Sequence, residues 1–264
     1  MEPVSVTDDD HDTSQPAWLA DDLPPADRLE VTRRMAGLIR EWEGAADRRA
    51  LFLSCYALMT RNVLSAIDSG DFRDPPWVSG LLDRFADYYF AALEGDGRQV
   101  ASVPEAWRLA FDAARDPDLE VMQHLLLGIN AHINYDLVLC LGDVLGPEWH
   151  ALSADDRHAR YLDHCHINDI IGRTIDAVQD QIVERYAPWM EVVDAALGRL
   201  DEWLVLQMIA RWRDQVWALA VQRVELPDET AREAQRREIE ESVVSRGHLI
   251  RLDAVGMIRE MLDG

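Results

Sequence analysis

Residues 119–146, LEVMQHLLLGINAHINYDLVLCLGDVLG, place His124, Asn130, His132, Asn134 and Asp136 in an otherwise apolar run. His132 and Asp136 stand four apart, so on a helix they face nearly the same way with Cβ atoms about 6 Å apart. An imidazole beside a carboxylate can do two kinds of chemistry. It can supply two ligands to a divalent ion, zinc or magnesium, or the carboxylate can fix a histidine tautomer for general acid–base work. His124 is about 18 Å from Asp136 along such a helix and cannot share an ion with it. Asn130 and Asn134 form a separate polar pair on another face. A second segment, YLDHCHINDIIGRTID (161–176), puts His164 and Asn168 on one face with Tyr161, Cys165 and Ile171, and His166 and Asp169 on another. If its helix packs antiparallel to the first, His164 and Asn168 meet His132 and Asp136.

A helix that is apolar on every side belongs at the centre of a bundle, so 118–145 is expected to be the buried central helix. Polar groups there must be bonded, ligated or catalytic, because each unpaired one costs about 1–3 kcal/mol. After Pro25, prolines stand only at 75, 76, 104, 117, 147, 188 and 227. The intervals read as helices over 27–43, 46–69, 76–94, 104–115, 118–145, 154–186, 188–199, 201–224 and 228–262. Asp74 and Asp116 offer caps next to Pro75 and Pro117. No segment combines two-residue alternation with hairpin signals. The fold class is all-α, a single multi-helix bundle over 27–264. Residues 1–26, with seven Asp or Glu and no Arg, form an acidic arm expected to be disordered. The charged stretch REAQRREIEES is expected on the outside.

The 264 residues carry a net charge of -23, and all 26 basic residues are arginine. Without lysine there is no Schiff-base, pyridoxal-phosphate or P-loop lysine. No glycine-rich dinucleotide fingerprint and no GxSxG nucleophile motif is present, so neither PLP nor NAD is expected. An acidic surface with no basic stripe argues against nucleic acid and anionic lipid. Asn130, His132, Asn134 and Asp136 interrupt the most apolar stretch, and the acidic N-terminus does not resemble a signal peptide. A soluble, cytoplasmic chain is expected. Cys55, Cys140 and Cys165 are far apart and odd in number, which suits reduced core thiols. A small-molecule ligand is the expected partner, with a homo-oligomer left open.

The leading expectation is a small-molecule enzyme with a helix-lined pocket, a hydrolase or a lyase or cyclase. His132 and Asp136 would be metal ligands or a base pair, with His164 and Asn168 catalytic beside them. His124, Asn134, Arg213 and Trp217 would bind the ligand. The alternative is a non-catalytic ligand-binding or scaffold protein, in which the buried polar set fixes helix register and Tyr88, Tyr89, Trp107 and Trp217 line an apolar pocket. A third reading comes from NDIIGRTID, which resembles the second metal motif of class I terpene synthases. Asn168, Gly172 and Asp176 occupy its ligand places, but Gly172 lacks the hydroxyl, and upstream only Asp83 and Asp87 could replace the aspartate-rich motif.

Several segments in order, FLSCYALMTRNV (52–63), FRDPPWV (72–78), RFADYYFAAL (84–93) and above all LLLGINAHINYDL (125–137), resemble a bacterial family catalogued only as a domain of unknown function, family 5995. The Asn168 region and RDQVW (213–217) are weaker matches. The resemblance covers about residues 45–220. It implies an all-helical domain with His132, Asn134, Asp136, Asn168, Arg213 and Trp217 at its core, and it implies no activity.

Overall fold

The computed structural model describes residues 29–178 and 199–253. The acidic arm, the end of the predicted helix 154–186, all but the last residue of the predicted helix 188–199 and the last residues of the predicted 228–262 lie outside them. Eight helices and no strands form among the described residues: α1 (Leu29–Gly44), α2 (Arg49–Asp68), α3 (Pro75–Gly97), α4 (Glu105–Ala114), α5 (Val121–Leu145), α6 (Ala154–Val178), α7 (Arg199–Val224) and α8 (Glu229–Leu252).

Local chemistry sets the ends. The Asp74 carboxylate accepts from Trp77 N–H at 2.9 Å while prolines fill the first turn of α3, where no backbone donor is needed. Asp228 caps α8 in the same way, through Ala231 N–H at 2.8 Å. The central helix starts at Val121 rather than near 118, because a reciprocal capping box between Glu120 and Gln123 defines the start. Pro117 precedes the turn that leads into it.

Helix α5 is the axis of the bundle, enclosed by α2, α3, α4, α7 and α8. Its Leu126, Leu127, Ala131, Val138, Cys140, Leu141 and Leu145 are all buried. Burying each large aliphatic side chain among them contributes about 1.5–3 kcal/mol. At Gly128 the Phe52 ring of α2 packs directly against the axis. A Cβ on that glycine would lie 2.5 Å from Phe52 Cδ2, so only glycine lets that ring sit against the axis. Helices α2 and α5 are each long and apolar enough to span a membrane even with their polar residues, but both are mostly buried against other helices of the bundle.

Two expectations change. The charged helix α8 is not merely external: Gln235, Ile239, Val243, Gly247 and Ile250 form a buried stripe against α4 and α5. Helix α6 packs on α2 and α7, and its buried line runs through Asp163, His164, Ile170 and Thr174, rotated from the line expected through Asn168 and Ile171.

Candidate active site at the turn in the central helix

Midway along α5 the backbone leaves the α-helix for one π-helical turn, His132–Asp136, closed by Leu137 N–H donating to the His132 carbonyl. Such one-residue insertions occur often at functional sites. Within the turn, His132 Nδ1 lies 3.2 Å from Asp136 Oδ2, and both residues are buried. The Trp107 indole N–H, from α4, donates to the same Oδ2 at 2.9 Å. Oδ2 therefore serves two nitrogens, while no described residue bonds Oδ1.

His132 fills an aromatic box. Phe85 stacks face to face on it at 3.6 Å, Tyr56 approaches edge-on at 4.3 Å, and Phe52, Tyr89 and Trp107 complete the walls at 5.7, 6.2 and 6.0 Å. Its Nε2 has no hydrogen-bond partner among the described residues, and neither has the Tyr56 hydroxyl. Burial holds the imidazole well below its ordinary pKa. Burial also pushes the Asp136 carboxyl well above its ordinary range, with the Trp107 bond acting the other way. Burial thus favours the uncharged form of each group, and a proton can pass across the contact between Nδ1 and Oδ2.

A cleft of about 250 Å³ reaches this pair from outside. Tyr88, Ala91, Ala92 and Gly95 of α3 form one side, Ser102, Val103 and Pro104 the other, and Asp136 is the only member of the pair that touches it. His132 stands behind Asp136 rather than in the cleft.

The other expected site residues fall into separate groups. His164 Nε2 lies 3.1 Å from the Arg213 carbonyl; Arg213 donates to the His164 carbonyl at 2.8 Å and to Asn168 Oδ1 at 2.6 Å. Trp217 packs on the His164 ring at 5.2 Å. These four residues tie α6 to α7, and their hydrogen bonds do not reach His132 or Asp136. Arg213 has no carboxylate within ion-pair distance among the described residues, and burial lowers its pKa to about 10. The Asn134 amide donates to Asn130 Oδ1 at 3.1 Å, and Asn130 donates to the Val243 carbonyl at 2.9 Å, linking α5 to α8. His124 lies 3.1 Å from both Arg48 and the Leu119 carbonyl, and burial lowers its pKa to about 4. The terpene-synthase-like ligand place at Asn168 is taken up by Arg213, and the side chain of Asp176 lies outside what the structure describes.

As metal ligands, His132 and Asp136 face each other, and no group of three or more His, Cys, Asp or Glu among the described residues could hold an ion. With two donors already bonded together, the donor set suits proton sharing better than coordination.

The family model described as a family of unknown function, DUF5995, matches residues 29–252. The chain belongs to this family. The DUF5995 match extends beyond the segments that suggested it, taking in α1 and α8, so the helix that binds Asn130 is part of the family's domain. No curated protein and no solved structure matches the chain. In this DUF5995 chain the residues hardest to read from the sequence are Trp107 as a donor to Asp136 and Phe85 as the stacking partner of His132. Trp107 stands out only as an aromatic residue, and RFADYYF only as a family-like segment.

Proposed function

We propose that the chain is a small-molecule enzyme working by general acid–base catalysis without a bound metal, with Asp136 as the group that meets substrate. The observation that carries this reading is the place of Asp136 in the lining of the cleft, one carboxyl oxygen tied to His132 and Trp107 and the other without a partner among the described residues. His132 acts through Asp136, lending or taking a proton across the shared contact, and Trp107 fixes the carboxyl's rotation. A carboxyl whose pKa burial raises, in contact with an imidazole whose pKa burial lowers, can take up and release a proton, as general acid–base catalysis requires. Hydrolysis and lyase or cyclisation chemistry both suit such a pair.

The test is untargeted mass spectrometry of a small-molecule extract incubated with wild type and with Asp136→Asn. Compounds that wild type depletes should persist with the variant. Identical profiles from two folded proteins would overturn the reading.

A second reading, a non-catalytic scaffold, draws on the tight packing of His132 against Phe85 at 3.6 Å and on the bonding of Asn130, Asn134 and Val243 between helices. It predicts that Asp136→Asn changes stability alone.

A further inference from the structure

The cleft also constrains the charge of its ligand, on the reading that it is the substrate site. Apart from Asp136, its lining offers two hydroxyls, on Tyr88 and Ser102, and otherwise alanine, glycine, valine and proline. The Tyr88 hydroxyl is already donating to Asp143 at 2.8 Å, which leaves Ser102 at the rim. No basic side chain among the described residues lines the cleft. The arginines bonded to α3 and its neighbours are paired elsewhere: Arg84 with Asp143 at 2.5 Å, Arg34 with Glu94 at 2.6 Å, and Arg115 with Asp96. An anionic ligand would therefore enter an apolar slot with no counter-charge, inside a chain of net charge -23. A cationic ligand would need Asp136 ionised in a dry enclosure, with no second acid in the lining to share the charge.

We infer that the cleft takes an uncharged, compact, largely apolar molecule bearing one neutral hydrogen-bond donor, an amide N–H or a hydroxyl, which donates to Asp136 Oδ1. The volume suits a body on the order of ten non-hydrogen atoms, judged against about 30 Å³ per liquid water molecule. The preference follows from the wall: each apolar contact rewards a neutral body, and Asp136 Oδ1, the carboxyl oxygen not bonded to His132 or Trp107, offers an acceptor.

The experiment uses the full-length chain with benzamide, benzoate and benzylamine, which share a ring and differ in charge, read by ligand-observed NMR. Benzamide should bind at least about tenfold tighter than either ion. Ser102→Trp, at an exposed rim position, should abolish that binding by filling the slot. Tightest binding by benzylamine, lost in Asp136→Asn, would overturn the inference while leaving Asp136 as the site's reactive group. Binding of benzamide that survives Ser102→Trp, or no binding by any of the three, would also overturn it. The catalytic reading fails separately, by unchanged turnover in Asp136→Asn.

Discussion

Replacing Asp136 with asparagine should change how stability depends on pH more than it changes stability at any one pH. Burial raises the folded carboxyl's pKa well above its ordinary range, whereas in the unfolded chain it titrates near about 3.9. A group raised in this way contributes stability that is fully present below about pH 3.9 and is lost as the pH rises towards the folded value. Over that interval the folded chain binds one more proton than the unfolded chain at this residue. The slope is about 1.4 kcal/mol per pH unit below the folded pKa, so wild type should lose stability relative to Asp136→Asn as the pH rises from 5 towards that value. The result is the same whether the shared proton rests on Oδ2 or on Nδ1, because only the count enters the linkage. Urea unfolding of both proteins at half-unit pH steps measures it, and other ionisable groups cancel in the difference. A difference that stays flat from pH 5 to pH 7 would mean that Asp136 is ionised in the folded chain, and the shared-proton account would fail.

His124 works in the opposite direction. Its folded pKa is lowered to about 4, so its contribution is intact above about pH 6.5 and is lost as the pH falls towards 4. His124→Gln should remove about 3 kcal/mol of acid sensitivity over that interval, seen in the same urea series. Gly128→Ala should lower the melting temperature, since its Cβ would meet Phe52 Cγ at 2.7 Å and overpacking costs about 1–3 kcal/mol. Gly37→Ala, with nothing within 4 Å, should raise it by the helix-propensity gain of up to about 1 kcal/mol. Arg213→Met and Asn168→Leu should each destabilise, and the double variant should fall short of their sum by about 0.5–3 kcal/mol. Strict additivity in chemical denaturation would show that the bond between them contributes nothing.

How much of this was legible in the sequence depends on how far apart in the chain the partners lie. The all-round apolarity of 118–145 marks the axis, and the four-residue spacing of His132 and Asp136 marks a pair that the structure bonds. Both facts are local. The π turn is not, since the residues HINYD would pass in an ordinary helix and the extra residue is accommodated by packing on both sides. Trp107 reaches Asp136 from 29 residues away, and Val243 reaches Asn130 from 113, so neither partner follows without the topology. The expected meeting of His164 with His132 rested on a guess about neighbouring helices, and α6 packs on α2 and α7 instead. The buried stripe of α8 was obscured by the charges between Ile239, Val243 and Gly247.

The π turn also gives α5 two phases. One additional residue sets the second half of the helix about 100° away from where an unbroken α-helix would carry it. The first half, Val121–Ala131, meets α2, α4 and α8, and the second, Leu137–Leu145, meets α3 and α7. A single helix thereby serves two walls that do not share a register, and the catalytic candidates sit at the joint between them. Excising one residue from the joint would restore a continuous α-helix, but it would turn one half's apolar face away from its wall. The joint therefore holds the bundle in alignment as well as positioning the pair.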